Sequence, residues 1–168
     1  TVVPLDDARL RDLYQARRQL EPYMMTRAAE ALEDAEIRRY LQRLDDAARA
    51  YPQVPSARLD ALENDLHHEA LARGNNAEIM TMLQRTRPIL LISKHLLGSS
   101  IALPSVAPFF DEHRHVFDKA LARDGGAAGR ALDEHLARSE AQVQARLSDF
   151  REAGVIDVPD YLREVAPS

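Results

Sequence analysis

Cysteine is absent from the 168 residues, and so is tryptophan. Without cysteine the chain has no disulfide, no thiolate metal ligand and no cysteine nucleophile, and the redox state of its compartment cannot be inferred. Glycine and proline are sparse, with six and nine residues, and they cluster at a few points. Long stretches without helix-breaking residues therefore remain between these clusters.

Long hydrophobic runs are also missing. The longest apolar run, residues 89–92, is far shorter than the roughly 20 residues that cross a bilayer. The N-terminal residues lack the basic start and apolar stretch of a secretion signal. The net charge of -5 argues against binding of a phosphate backbone by this segment, since such surfaces are usually basic. We expect a cytoplasmic protein without membrane contact.

The stretches between the glycine and proline clusters carry the 3.6-residue apolar period of amphipathic helices, in residues that favour helix. Six helices are predicted, at about 7–32, 34–50, 56–73, 77–97 with a kink or break at Pro88, 105 to the glycine pair 125–126, and 127–153. A loop over 98–104 and a tail after 154 complete the chain. No stretch shows the alternation of a strand.

We therefore predict an all-α fold, an antiparallel bundle of about six helices formed by one domain over residues 1–168. Bundles of this kind build sites in their core from side chains on facing helices, so a central cavity for a ligand or metal is expected. The inner stripe of the first helix is predicted to contain five apolar residues: Leu10, Leu13, Leu20, Met24 and Ala28.

Four of the polar residues have spacings that suit a metal site. Glu63 and His67 are four positions apart in the third helix, so both project from one face. His113 and His135 stand 22 residues apart, at comparable distances from the glycine pair 125–126. A carboxylate and three imidazoles from three helices could thus converge. This donor set suits Zn first, with Ni, Mn or Fe as alternatives, and leaves positions open for water or a ligand.

Spacing alone leaves other interpretations open. A single histidine on a helix is more often a structural or exposed residue than a ligand. Asn64 and His68 form a competing pair with the same spacing as Glu63 and His67. The remaining histidines, His68, His95 and His115, are interpreted as surface or supporting residues, and His95 could equally serve a helix C-terminus.

Three stretches match, in order, the motifs of one known family. Residues 13–22 read LYQARRQLEP and are followed by Ala28-Ala29, where the family has L-Y-x-x-R-x-x-L-E-P and paired alanines. Leu66-His67, with Asn76 nine residues later, stands where the family has F-H and then G-N. The third stretch corresponds to the family's E-H…G-D…A…H-L: Glu112-His113, Asp124, Ala131 and His135-Leu136. The chain thus resembles the C-terminal effector domain, called FCD, of GntR-type regulators of the FadR branch.

The resemblance implies a divalent metal ion at the floor of a ligand pocket. Its ligands would be an acidic residue four positions before the first motif histidine, and three histidines: Glu63, His67, His113 and His135. Arg17 would face the same cavity, where its planar fork can bind an effector carboxylate in a bidentate pair. The alternative for Arg17 is a surface pair with Glu21.

The sequence departs from the family pattern at three positions. Glu63 stands in place of the usual Asp, and its extra methylene shifts the carboxylate or changes its denticity. Leu66 replaces Phe, and Asn75 replaces a glycine but still tolerates a left-handed cap. Asp65 and His68 therefore remain possible alternative ligands if the helix is rotated about its axis.

The resemblance implies binding rather than catalysis. A small organic acid would act as effector, the domain would form a homodimer, and DNA would be bound only through a winged helix-turn-helix domain that normally precedes this one. The few residues before Asp6 are too short to encode it, so we expect a piece of a longer protein or a reduced relative. Two other functions remain open: a metalloenzyme built on a helical bundle, and a helical interaction domain without metal.

Overall fold

The computed structural model describes residues 7–87 and 107–152. Within these ranges it has six α-helices and no strand, which confirms the all-α prediction. The helices are α1 (Asp7–Ala31), α2 (Asp34–Ala50), α3 (Ser56–Asn64), α4 (Ala77–Gln84), α5 (Ala107–Leu121) and α6 (Gly125–Glu152), and a π-helical turn, Asp65–Ala70, directly follows α3. None of these described helices has both the length and the apolar character needed to cross a membrane.

The two longest helices, α1 and α6, pack against each other and run in opposite directions. The Tyr14 hydroxyl lies 2.8 Å from the Ser139 hydroxyl, and Arg18 pairs with Asp133 at 2.7 Å. As the residue number increases along α1, the number of the contacting residue on α6 decreases, as expected for antiparallel helices. Helix α5 packs against both α6 and α2. The apolar core lies among these four helices and is extended by α3, the π-helical turn and α4, which contribute Leu62, Leu66, Ala70 and Leu83.

The predicted third helix, 56–73, is not a uniform α-helix. It changes to the π-helical turn at Asp65, where hydrogen bonds connect residues five apart instead of four. The side-chain amide of Asn64 donates to the carboxylate of Glu69, five residues ahead, at 3.2 Å. Apolar periodicity did not reveal this change because it reports which residues are buried, not which hydrogen-bond register the backbone uses.

Only the first part of the predicted fourth helix, 77–97, lies within the described residues. It begins after Asn76, whose side chain caps it, and α4 ends at Gln84, four residues before the break predicted at Pro88. Both the backbone N–H and the hydroxyl of Thr86 donate to the Leu83 carbonyl oxygen, which satisfies one of the terminal acceptors and closes a tight turn.

The first two helices follow the prediction closely, with α2 identical to it and α1 ending one residue earlier. Several predicted features lie outside the described residues: the kink at Pro88, His95, the loop over 98–104 and the tail after 154.

Gly125 and Gly126 begin α6 and do not form the predicted turn. The reversal is made by Arg123, which has a φ of 60°, and Asp124 caps the helix by accepting from the Ala127 N–H at 2.8 Å. Glycine is required at 125 because a Cβ there would lie 2.5 Å from the Thr26 carbonyl oxygen. The glycine marks a close contact between helices.

The buried face of α1 also differs from the predicted stripe. Leu13 and Leu20 are only partly buried. Six of the eight buried residues follow a regular alternation of three and four positions, and two of the six are charged: Leu10, Tyr14, Arg17, Glu21, Met24 and Ala28. Met25 and Ala29 are also buried. The predicted stripe contains no charged residue, since burial of an ion costs free energy unless the ion is paired.

The close packing of α1 against α6 predicts opposite effects of alanine at two nearby glycines. A Cβ at Gly129 would lie 2.5 Å from the Thr26 hydroxyl and 2.8 Å from the Pro22 carbonyl oxygen, whereas at Gly126 the nearest atom is the flexible end of Arg130 at 3.4 Å. We expect Gly129→Ala to lower the free energy of unfolding by about 1–3 kcal/mol through overpacking. Gly126→Ala should be neutral or slightly stabilising. Urea denaturation of both variants measures this, and equal stabilities would contradict the packing.

Candidate metal centre

Four side chains carried by α3, the π-helical turn, α5 and α6 meet in one group, the histidine–glutamate cluster: Glu63, His67, His113 and His135. Their ligand atoms all lie within 4.8 Å of one another, and the three histidines are buried. The Nε2 atoms of His67 and His135 are 3.2 Å apart. The Glu63 carboxylate oxygens lie 3.6 Å from His67 Nε2 and 3.4 Å from His113 Nε2. The structure thus brings together all four residues that the sequence analysis named.

The alternative ligands considered in the sequence lie apart from the cluster. Asp65 accepts a hydrogen bond from Arg43 of α2 at 2.8 Å. His68 is partly exposed, and its Nδ1 lies 3.5 Å from the neighbouring Glu69 carboxylate. His115 is exposed on α5. Glu63 is therefore the carboxylate that faces the three imidazoles.

His113 has one ring nitrogen occupied and one without a partner. Its Nδ1 donates to the Phe109 carbonyl oxygen, one turn earlier on α5, at 2.8 Å. Because a carbonyl oxygen can only accept, the proton is on Nδ1 and a lone pair is on Nε2. This Nε2 is buried and has no hydrogen-bond partner. A buried polar atom without a partner is costly, so the atom is suited to a ligand that the chain itself does not supply.

His67 is held by a buried ion pair on α1. Its Nδ1 lies 2.6 Å from Glu21 Oε2 and 3.1 Å from Arg17 Nη2. One nitrogen cannot both donate and accept, and the shorter contact to a carboxylate makes Nδ1 the donor to Glu21. Arg17 Nε in turn donates to Glu21 Oε1 at 2.6 Å. Burial alone would raise the pKa of Glu21, but the charge of Arg17 and the contact with His67 outweigh it and lower the pKa to about 2.

His135 is held in the same way from the opposite side. Its Nδ1 donates to Glu112 Oε2 at 2.7 Å, and Arg138 Nε donates to the other oxygen of Glu112 at 2.5 Å. Burial lowers the pKa of His135 to about 4, although the hydrogen bond to Glu112 acts in the opposite direction. His135 is therefore neutral near pH 7, with its lone pair on Nε2.

The donor set fits a divalent metal ion. All three Nδ1 atoms donate to oxygen acceptors, so three Nε2 lone pairs are directed into the group beside one carboxylate. Lone pairs that face one another repel unless a cation lies between them. Two nitrogens bound at about 2.0–2.1 Å to a tetrahedral ion would be roughly 3.3 Å apart, close to the 3.2 Å between His67 Nε2 and His135 Nε2.

Comparison with known families identifies the type of domain. Residues 12–138, about three quarters of the chain, match the family model described as the FCD domain. The chain belongs to the FCD domain family. The comparison with curated proteins and the comparison with solved structures each found no match. The matched range of this FCD domain contains Arg17 and the whole histidine–glutamate cluster.

A cavity of about 380 Å³ lies beside the cluster of the FCD domain, with Glu63 and His67 in its lining. Arg17 lines the same cavity, and its side chain is only 2% exposed. The pair between Arg17 and Glu21 does form, but in the interior and not on the helix surface. Effector binding by Arg17 stays a prediction. A larger groove of about 670 Å³ between α1 and α6 is lined by no residue of the cluster.

The sequence analysis did not assign a role at the site to Glu21 or Glu112. Glu21 lies on the same stripe of α1 as Tyr14 and Met24, and a charged residue on an otherwise apolar stripe signals a buried partner. Glu112 directly precedes His113 in the sequence but contacts His135 across the α5–α6 hairpin. No local spacing indicates that contact, because it depends on the rotation of two helices about their axes.

The hydrogen bond of His113 predicts its tautomer in the metal-free FCD domain. We expect the neutral ring to carry its proton on Nδ1 and not on Nε2, because the Nδ1 proton is donated to the Phe109 carbonyl oxygen. Long-range ¹H–¹⁵N correlation spectra distinguish the two tautomers, with the exposed His115 as an internal reference. A proton found on Nε2 of His113 would contradict the arrangement.

Proposed function

We propose that this FCD domain is the sensing and dimerisation domain of a bacterial transcription regulator, and that it binds a divalent metal ion together with a small organic-acid effector. The observation that carries the proposal is the convergence of three histidine Nε2 atoms and one carboxylate beside a cavity. Zn is the first expectation for this donor set, with Ni, Mn or Fe as alternatives. The proposed ligands are Glu63, His67, His113 and His135.

The charge of the cavity supports an acidic effector only when the metal is present. Two arginines and three carboxylates line it among the described residues: Arg17, Arg87, Glu21, Asp60 and Glu63. With neutral histidines this lining carries one net negative charge, which disfavours an anion. A bound divalent ion would reverse the sign, and it would supply open coordination positions for a carboxylate oxygen.

The remaining part of the proposal concerns the full regulator. We assign it to the GntR family, FadR branch, with a winged helix-turn-helix domain encoded outside this chain and a cytoplasmic location. The chain's net charge of -5 is consistent with DNA being bound elsewhere. The effector would change DNA binding only through its different affinities for the DNA-competent and DNA-incompetent dimers.

We favour binding over catalysis. Within residues 7–87 and 107–152, one group of side chains can hold a metal ion, and a di-metal bundle enzyme would need further carboxylates around a second ion. A metalloenzyme would also convert its ligand, whereas a sensor shows only ligand-dependent stabilisation.

Metal analysis tests the central claim. Protein purified without a nickel column should contain about one divalent ion per chain, and His113→Ala should lose it because one of four ligands is gone. His115→Ala is the matched control, since this exposed neighbour on α5 lies outside the cluster. Metal content below about half an ion per chain that is the same in wild type and both variants would contradict a specific site.

The charge argument predicts that acids bind only to the metal-loaded protein. Small dicarboxylates, tricarboxylates and sugar acids should be tested by thermal shift, with their uncharged amides as controls. A binding acid at 100 times its Kd should stabilise the loaded protein by about 2.7 kcal/mol. The same acid should have no effect after removal of the ion by dialysis. Equal stabilisation with and without metal would show that the ion does not supply the charge.

A further inference from the structure

Helix α1 supplies none of the four residues of the histidine–glutamate cluster, yet it contacts the cluster closely. The shorter of its two contacts with His67 is the hydrogen bond to Glu21, with 2.6 Å between Oε2 and Nδ1; Arg17 Nη2 lies 3.1 Å from the same nitrogen. Glu21 is 2% exposed, and so is Arg17, which donates to its other oxygen at 2.6 Å. Both oxygens of a buried carboxylate therefore have partners, one on α1 and one on the π-helical turn.

The arrangement leaves Glu21 little freedom to move. A carboxylate accepts hydrogen bonds and donates none, so a bound Nδ1 proton forces the His67 lone pair onto Nε2, which faces the cluster. Arg17 and His67 each hydrogen-bond one oxygen of Glu21, so the carboxylate cannot rotate freely. The carboxylate therefore also fixes the plane of the imidazole ring. Carboxylates that hold a ligand histidine in this way orient the ring and increase its basicity.

We propose that Glu21, anchored by Arg17, is a positioning residue that fixes His67 as an Nε2 ligand and couples occupancy of the metal site to α1. The inference rests on the proposed metal binding and adds to it the route by which the site acts on the first helix. An ion bound to His67 would restrain the imidazole ring. The Nδ1 atom of that ring is hydrogen-bonded to Glu21, which is part of α1.

Glu112 offers an internal comparison. It makes the equivalent contact to His135 at 2.7 Å, but it is carried by α5, and its partner Arg138 is 48% exposed. Both glutamates should therefore support metal affinity. Of the two glutamates, Glu21 alone is carried by α1 and should connect the metal to that helix.

The first measurement is metal affinity, determined by competition of Zn²⁺ between the purified protein and a chromophoric chelator. Glu21→Gln replaces one acceptor oxygen by a donor amide and removes the charge. We expect Zn²⁺ affinity to fall about 10- to 100-fold, the usual loss when such a partner is changed. Glu30→Gln, at an exposed position on the same helix, is the matched control and should bind as the wild type does. An affinity of Glu21→Gln within about twofold of the wild type would overturn the positioning role.

The second measurement is amide hydrogen exchange across residues 17–21, with each protein at 100 times its own Kd for Zn²⁺. This condition gives every variant the same stabilisation by the ion. In the wild type and Glu112→Gln, exchange in this segment should slow by about tenfold or more on loading, since opening of the segment would release the ion. In Glu21→Gln the slowing should be lost. Equal slowing in all three proteins would overturn the coupling to α1.

Glu21→Gln leaves the buried Arg17 without its counter-charge, so the variant could fail to fold. Arg17→Met combined with Glu21→Leu removes both charges and retains similar volume, a change that buried ion pairs often tolerate. This double variant should melt cooperatively and bind Zn²⁺ at least about tenfold more weakly. Wild-type affinity in it would overturn the inference. A wild-type protein that binds no Zn²⁺ would instead overturn the proposed function on which the inference rests.

Discussion

The hydrogen bonds of three Nδ1 atoms determine the chemistry of this molecule. Each ring donates its Nδ1 proton to an oxygen: His67 to Glu21, His113 to a backbone carbonyl, and His135 to Glu112. The Nε2 atoms consequently converge in the interior, beside the Glu63 carboxylate. Under the proposed function, the contacts that orient these rings in the core would also prepare the site for a divalent ion.

The oxygen acceptors lie on two helices: Glu21 on α1, and Phe109 and Glu112 on α5. Helix α1 contacts the π-helical turn, where Glu21 accepts from His67, and the α5–α6 hairpin brings Glu112 to His135. The close approach of α1 to α6 depends on Gly125 and Gly129, where α6 lies against the backbone of α1.

The cavity links this electrostatic arrangement to a regulatory function. Its lining is net negative among the described residues, and a divalent ion would make it net positive. Under the proposed function, an organic acid would be recognised by the protein and the ion together. Arg17 connects the cavity with the histidine–glutamate cluster, because it lines the cavity and donates to the carboxylate that orients His67.

The sequence by itself determined the helical class, the bounds of α1 and α2 to within one residue, and the four residues of the cluster. These features follow from local periodicity, from the i,i+4 spacing of Glu63 and His67, and from the stretches of sequence that match the motifs of the family. The tertiary structure decided the rest. Burial of the Arg17–Glu21 pair, the role of Glu112 and the start of α6 at Gly125 depend on how neighbouring helices are rotated and how closely they approach. The period of one helix contains no information on its neighbour's rotation, so those contacts became visible only in the packed structure.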